Sequence, residues 1–360
     1  MPRYRTFRRG GDGAAAIPDV VIDNSNAGAS IQISGRAFVN AANDVWGGNT
    51  VTRYNQSRVI RISNYTPTQL VYTALSTLVG DGYTAVVVNG TLFASPQVDQ
   101  DYLPHLVTVL GLPAGVKTIE IWEGPQAHEG SLNAGNDQPV AGTYVTSVQL
   151  PSGTLTKPTA ANGLIITGES QGIDSGAFPW QWSGWGGQLR LSAQTAGWLL
   201  GHVAYGSRCA VGDGLTPAQT AACFHDLWAA MGSTTKKLLI YQRPNDYDYW
   251  NLSFFTTTPT QYAAFWASTM DALAGTDTFT CNLVSSFPSD PSDSSPSGGL
   301  YTKADYDTAM NGIASGRGYI TLQDSAQFNL ILPTDYVDNV HFNASGHTKV
   351  FTGVRAWYGL

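Results

Sequence analysis

The pattern of hydrophobic and polar positions changes about halfway along the chain. Up to residue 155, short apolar segments alternate with polar residues between turn signals such as Gly-Asp-Gly and Asn-Gly. The clearest segments are SIQISGRAF, SRVIRISNY, QLVYTAL, YTAVVVNGTLF, LVTVLGL, KTIEIWEG and TYVTSVQL. Alternation without a helical period is typical of half-buried strands, so residues 17–155 predict an antiparallel β-sandwich.

The second half, residues 156–360, alternates strand-like and helix-like segments. Apolar runs predict buried strands at 163–167, 201–205, 237–242, 278–284 and 318–322. Helices are predicted at about 185–199, 216–231, 259–274, 302–315 and 345–357. This order predicts an α/β three-layer sandwich around a central parallel sheet. The stretch 151–163 connects the two domains, and the Pro/Ser-rich stretch 285–299 predicts a mobile loop that is too polar to pack.

Near the C-terminus, Asp338 and His341 place a carboxylate and an imidazole three residues apart in a turn-like segment. Such a pair can activate a serine, because the carboxylate fixes the imidazole tautomer and the imidazole accepts the hydroxyl proton. Two rivals lie nearby. Asp335 could replace Asp338 as the acid, and His347 could replace His341 as the base, although a histidine in the first turn of a helix is more often structural. The i, i+3 spacing favours Asp338 with His341.

Three segments upstream offer partners for this pair. Ser170 follows a buried strand, at the position where α/β sheets place their chemistry. Gly206 follows a second apolar run and could offer a backbone N–H, and the side-chain amide of Asn245, after a third, could donate to a developing oxyanion. Plainer explanations exist, since Ser170 could cap the following helix and Asn245 is a common turn residue.

In order and spacing, these residues resemble the blocks of the SGNH (GDSL-type) hydrolases, over about 200 residues from about position 160. The resemblance implies that Ser170 is the nucleophile, His341 the base and Asp338 its orienting acid. It also implies an oxyanion hole made of the backbone N–H groups of Ser170 and Gly206 and the side chain of Asn245.

The resemblance has two departures. Glu169 stands where the family usually has Asp, but this carboxylate is a supporting group. The sequence YGSR around Gly206 leaves the register of the oxyanion glycine open by a residue or two. The first half resembles the jelly-roll modules of two-domain SGNH-type carbohydrate esterases. This implies a jelly-roll-like accessory domain, which could serve as a packing platform as readily as a sugar site.

The predicted substrate follows from aromatic residues near the site. Trp180, Trp182 and Trp185 come shortly after the nucleophile, and Tyr247 and Trp250 follow the oxyanion asparagine. Indole faces can stack on sugar rings, so these residues are candidates for substrate binding; the alternative is that the tryptophans pack the first helix against the sheet. No long apolar segment suits a lipid chain. We therefore expect an acetylated poly- or oligosaccharide as substrate. Alternatives are a general esterase or lipase on non-carbohydrate esters, and an inactive carbohydrate-binding or virion surface protein.

Composition narrows the function classes further. The formal net charge is -7 and only 12% of residues are charged, which argues against a nucleic-acid partner. No run of 18 apolar residues is present, so we expect no membrane span. No Cys/His cluster has metal-ligand spacing and no glycine loop could hold a phosphate, so we expect neither metal nor cofactor.

Localisation rests on weaker signals. The low charge and the high content of Gly, Ser, Thr and Asn are typical of secreted or surface-exposed β-rich proteins, although no signal peptide is visible. The N-terminal segment MPRYRTFRRGG is basic, and residues 1–16 are predicted to form a flexible arm; an attachment peptide in a larger assembly is the alternative. Cys209 and Cys223 could form a disulfide, whereas Cys281 lies in a strand-like run and predicts a buried thiol.

Overall fold

The computed structural model describes twelve stretches of the chain: residues 4–8, 19–22, 30–34, 57–76, 82–99, 103–125, 142–169, 184–205, 216–241, 258–287, 301–337 and 341–360. Contacts between Cα atoms divide the chain into two compact units, Met1–Thr159 and Ala160–Leu360.

The first unit contains antiparallel strands. They are β1 (Tyr4–Arg8), β2 (Asp19–Val21), β3 (Ser30–Ser34), β4 (Ser57–Tyr65), β5 (Gln69–Ser76), β6 (Gly82–Tyr83), β7 (Ala85–Val88), β8 (Thr91–Ala94), β9 (Gln97–Val98), β10 (His105–Leu110), β11 (Lys117–Trp122), β12 (Gly124–Pro125), β13 (Gly142–Gln149) and β14 (Thr154–Leu155). One sheet has the order β1-β10-β5-β13-β12, with β2 against β13. A second has the order β3-β4-β11-β7-β8, with β14 against β4, and β6 pairs with β9.

Side chains from these two sheets share one core. Ile60 and Ile121 of the second sheet are fully buried together with Leu70, Val107 and Val145 of the first. Burial alternates along β10, as expected for strands with one face in the core. Each segment that predicted a strand in this half contains one, whereas the jelly-roll assignment stays a prediction.

The Asn-Gly turn signal is confirmed. Asn89 and Gly90 join β7 to β8, with φ angles of 48° and 82°. A two-residue hairpin of type I′ needs positive φ at both positions, which Asn and Gly tolerate best.

The expectation of a flexible arm over residues 1–16 is wrong for Tyr4–Arg8. This segment forms β1, an edge strand that pairs with β10 in the register Tyr4 to Val109 and Arg8 to His105. Tyr, Thr and Phe favour strands, and β10 offers backbone groups that would otherwise lack partners. The sequence did not predict this strand, because its alternating pattern is only five residues long and lies within a basic segment.

The second unit is an α/β domain with a parallel sheet, as predicted. Its strands are β15 (Asn162–Glu169), β16 (Trp198–Tyr205), β17 (Thr235–Tyr241), β18 (Thr280–Val284) and β19 (Ile320–Gln323), in the order β19-β18-β17-β15-β16. The helices are α1 (Trp185–Thr195), α2 (Pro217–Met231), α3 (Pro259–Ala274), α4 (Lys303–Ile313) and α5 (Ala344–Tyr358), with a 3-10 turn at Ser325–Phe328.

Helices cover both faces of this sheet. Leu164 and Ile166 of β15 pack in a core with side chains of α1 and α5 such as Leu189 and Val350. The alternate residue Ile165 points to the opposite face and is also fully buried. On that side α2 contacts β15, and α3 packs between α2 and α4.

The predicted first helix, 185–199, is too long. The helix α1 ends at Thr195, Gly197 has a φ of 77°, and Trp198 already begins β16. A glycine with positive φ is the usual residue just after a helix end. The apolar run that follows it therefore belongs entirely to the strand.

The predicted polar loop at 285–299 is wrong at its start. Phe287 is 1% exposed, and Ser286 is buried and donates its backbone N–H to Asp307 at 2.9 Å. Residues 288–299 lie outside the described stretches.

Candidate active site

The predicted nucleophile and oxyanion glycine follow two neighbouring strand ends. The strands β15 and β16 are parallel and in register up to Glu169 and Tyr205, and β17 pairs with the other side of β15. Carboxyl ends of parallel strands share one edge of a sheet, where α/β proteins bind ligands. Ser170 and Gly206 are the next residues in the sequence and lie outside the described stretches.

Most of the other predicted site residues also lie outside them. These are Asn245, Asp338, Trp180, Trp182, Tyr247 and Trp250. Their roles stay predictions. His341 and Trp185 are described.

His341 lies in a loop that is closed at its base. Tyr336 and Phe342 form an isolated antiparallel bridge, and inside it the Val337 N–H donates to the His341 carbonyl oxygen at 2.9 Å. The His341 residue is half-buried. Asp338 falls between Val337 and His341 in the sequence, so the predicted acid and base belong to one closed loop.

Buried rings connect this loop to the parallel sheet. Phe342 contacts Phe287 with ring centroids 5.1 Å apart, and Phe287 contacts Tyr241 at 5.7 Å. Tyr241 meets Trp185 edge-on at 5.9 Å. His347 contacts both ends of this series of rings. Its ring centroid lies 5.5 Å from that of Phe342, and its Nδ1 accepts the backbone N–H of Trp185 at 3.3 Å. We call these five residues the aromatic cluster.

The aromatic cluster also touches the strand that precedes the predicted nucleophile. A Cβ atom placed on Gly168 would overlap the Tyr241 ring. Gly168 lies two residues before Ser170 and one before the end of β15. Sequence reasoning missed this contact, although a glycine inside a strand is a known signal for the close approach of another group.

Trp185 was predicted to bind substrate, and this is wrong. It is the first residue of α1, and its side chain is fully buried in the core of the α/β unit. A ring with no exposed surface cannot stack on a sugar. The alternative, packing of the first helix against the sheet, is confirmed for this tryptophan.

His347 is a packing residue. It lies in the first turn of α5 and is fully buried. Because its Nδ1 accepts a backbone hydrogen bond, that nitrogen carries no proton. The structure thus supports the structural interpretation of His347 over its use as the base.

Asp335, the rival acid, binds other groups. Its carboxylate is fully buried and accepts hydrogen bonds from Ser345 Oγ, Lys349 Nζ and the Ile331 N–H, each at 2.7 Å. Burial raises the pKa of the Asp335 carboxyl, but these hydrogen bonds lower it by more. The net pKa lies below the ordinary value of 3.8. His341 is not among its partners in the described part of the chain.

The cysteine predictions are partly tested. Cys281 is buried on β18, as predicted, and burial raises the pKa of its thiol. Cys223 is buried on α2. Cys209 lies outside the described residues, so its pairing with Cys223 stays a prediction.

Two further properties concern only the stretches that the structure describes. No helix in them is long and apolar enough to cross a membrane. No group of three or more His, Cys, Asp and Glu side chains in them is arranged to hold a metal ion.

Comparison with known proteins shows the fold. No protein-family model and no curated protein matches the sequence. Among solved structures, the salicylyl-acyltransferase SsfX3 from a tetracycline biosynthetic pathway is 19% identical, with a TM-score of 0.60 over 85% of this chain and 83% of that one. A family two carbohydrate esterase from Cellvibrio japonicus is 12% identical, with a TM-score of 0.56 over 99% and 98%. One from Clostridium thermocellum, in complex with cellohexaose, is 12% identical, with a TM-score of 0.54 over 88% and 98%. These similarities show that the chain has the overall fold shared by these solved structures.

The contact between Gly168 and Tyr241 predicts a steric effect. Gly168→Ala should lower the free energy of unfolding by about 1–3 kcal/mol, because the new methyl group displaces a packed ring. Chemical denaturation measures it. The control is Gly312→Ala in α4, where a Cβ meets nothing within 4 Å and should be neutral or stabilising. Equal stability of the two variants would contradict the predicted overlap.

The Asp335 carboxylate predicts a pH dependence of stability. Its pKa is lowered in the folded state, so its stabilising contribution is present above 3.8 and is lost as the pH falls through the folded value. Asp335→Asn should therefore reduce stability at neutral pH and flatten its decline below about pH 4. Denaturation curves between neutral pH and about pH 3 test this, with Asp226→Asn at an exposed position of α2 as control. A decline as steep as in the wild type would refute the assignment.

Proposed function

We propose that this chain, which has the fold of the SGNH/GDSL-type carbohydrate esterases, is a serine esterase that removes small acyl groups, acetyl foremost, from carbohydrate. One observation carries the proposal. Gly168, two residues before the predicted nucleophile in the sequence, contacts Tyr241, and Tyr241 is linked through Phe287 to Phe342, which follows His341 in the sequence. This unbroken chain of buried contacts supports a common location for the nucleophile's strand end and the base's loop.

The proposed mechanism uses an acyl-enzyme. Ser170 Oγ attacks the ester carbonyl carbon while His341 accepts its proton, and Asp338 stabilises the resulting imidazolium. The N–H groups of Ser170 and Gly206 and the Asn245 side chain hold the oxyanion. His341 then protonates the departing sugar oxygen. Water attacks the acyl-enzyme by the reverse sequence, which releases the carboxylic acid and restores Ser170.

The substrate class rests on two supports. The esterase from Clostridium thermocellum was solved with cellohexaose, which favours carbohydrate as the ligand of this fold. The remaining aromatic candidates are Trp180, Trp182, Tyr247 and Trp250. We propose that they, and not Trp185, supply the sugar-binding surface. The β-sandwich of residues 17–155 is proposed as a jelly-roll accessory domain, and secretion or surface exposure remains the proposed localisation.

Acyl transfer to an alcohol is the second candidate. The similarity to SsfX3, an acyltransferase, favours it, since an acyl-enzyme can be attacked by a bound hydroxyl group as well as by water. Both candidates share the proposed Ser170 chemistry. They differ only in the acceptor.

Loss of the nucleophile should abolish turnover. We expect the wild type to release acetate from chemically acetylated xylan and Ser170→Ala to release none, because no acyl-enzyme can form. Ser315→Ala, at an exposed position after α4, is the control. Release by Ser170→Ala at the wild-type rate would sink the assignment. If the wild type cleaves aryl acetates but not acetylated xylan, the proposed triad is retained and the carbohydrate substrate is excluded. Transfer to an added alcohol in preference to hydrolysis would favour the acyltransferase.

Loss of an oxyanion donor should slow the reaction without unfolding the protein. Asn245→Ala is expected to lower kcat about 100- to 1000-fold, because the amide contributes mainly in the transition state. Steady-state kinetics on an aryl acetate measure it, with Asn311→Ala on the exposed surface of α4 as the control. A kcat within about twofold of wild type would exclude Asn245 from the oxyanion hole.

A further inference from the structure

Asp335 connects both ends of the segment that carries His341. Its backbone N–H donates to the Ile331 carbonyl and its carboxylate accepts the Ile331 N–H, at 2.9 and 2.7 Å. On the other side, its carbonyl accepts the Asn343 N–H at 2.9 Å and its carboxylate accepts Ser345 Oγ at 2.7 Å. One fully buried residue thus holds the chain before and after the His341 loop.

Lys349 supplies the charge that this buried carboxylate requires. Its Nζ lies 2.7 Å from the Asp335 carboxylate and also donates to the Asn329 carbonyl at 2.9 Å. The lysine side chain is one-third exposed whereas the carboxylate is fully buried. Removing one partner of a buried ion pair leaves an uncompensated charge, so loss of either Asp335 or Lys349 should destabilise the folded protein.

The helix that follows the loop is shaped to fit against Asp335. A Cβ atom on Gly346 of α5 would overlap the Asp335 carbonyl oxygen, so only glycine lets the loop approach the helix this closely. Asn343, the N-cap of α5, accepts from the Ser345 and Gly346 N–H groups and donates to the Thr334 carbonyl at 2.7 Å. The His341 loop is therefore built directly onto the first turn of α5.

We propose that Asp335, with Lys349 and Ser345, is a positioning clamp for His341. The inference rests on the proposed function for the role of His341 itself. The clamp touches no reacting atom. It acts by holding the base of the loop. There the His341 carbonyl oxygen accepts the Val337 N–H, and the next residue, Phe342, pairs with Tyr336. A displacement of the base by about 1 Å can cost about a hundredfold in rate.

The chain offers a matched control for removing this carboxylate. Asp277 is also a buried carboxylate with a fully buried side chain, and it binds Lys236, His225 and Thr276. It precedes β18, at the amino end of the sheet, opposite the edge where the predicted site residues follow their strands. Asp277→Asn therefore removes a comparable buried ion pair far from the His341 loop.

The test compares Asp335→Asn with Asp277→Asn at a temperature where both are folded. We expect Asp335→Asn to lower kcat on an aryl acetate about a hundredfold with little change in KM, and Asp277→Asn to leave kcat near wild type. Hydrogen exchange should rise in a peptide covering 336–343 only for Asp335→Asn. If that variant folds poorly, Ser345→Ala removes one clamp hydrogen bond and should give a smaller change of the same kind.

The outcomes separate the two proposals. Equal kcat values for Asp335→Asn and Asp277→Asn, with unchanged exchange over 336–343, would overturn the clamp. A wild type that neither cleaves esters nor reacts with a phosphonate ester would overturn the proposed function. In that case hydrogen exchange still tests the clamp. Faster exchange confined to 336–343 in Asp335→Asn would support the clamp, and unchanged exchange there would overturn it.

Discussion

The proposed site depends on the packing of the Tyr241 ring against the backbone of Gly168. This contact is possible only because Gly168 has no side chain, and it packs the last residue of β17 against the end of the neighbouring strand β15. Trp185 and Phe287 pack on the same ring, so α1 and the segment after β18 depend on it too. Buried rings are large and stiff, and their contacts fix positions better than exposed polar contacts do. A site assembled from several strand ends needs such a support below it.

The loop that carries His341 is held by a different kind of interaction. Buried carboxylates are costly unless they are paired and fully hydrogen-bonded, and Asp335 meets both conditions through Lys349, Ser345 and the Ile331 N–H. These hydrogen bonds stabilise the Asp335 carboxylate and also fix its orientation. Ring packing at Phe342 is non-directional, whereas the hydrogen bonds to Asp335 also require a particular geometry. The two supports therefore act on the same loop in complementary ways.

Much of the fold follows from hydrophobic periodicity, whereas helix ends and side-chain directions do not. Each predicted strand and helix of the α/β unit has a counterpart, since period and turn signals are local. The end of α1 departs from the predicted range because Gly197, with its positive φ, stops the helix inside a continuous apolar pattern. Trp185, His347 and Asp335 were ambiguous in sequence, because spacing shows which residues are near one another but not which way a side chain points. Burial and hydrogen bonds decide these three, and they arise only from tertiary packing. Ser170, Gly206, Asn245 and Asp338 lie outside the described stretches. Their predicted roles are supported by the strand ends that precede the first three in the sequence and by the closed base of the loop that contains Asp338 in the sequence.

The buried contacts of Asp335 also bear on why the predicted acid, Asp338, and the predicted base, His341, lie so close in sequence. A closed loop from Val337 to His341 can hold a carboxylate against an imidazole with few free backbone angles, but only if its base does not move. The entropy that the loop loses must be offset by interactions outside it. Asp335 provides them through hydrogen bonds, and the aromatic cluster provides them through ring contacts at Phe342. Under the proposed function, the second carboxylate near His341 is therefore not a redundant acid, because its hydrogen bonds hold the two chain segments that flank the His341 loop.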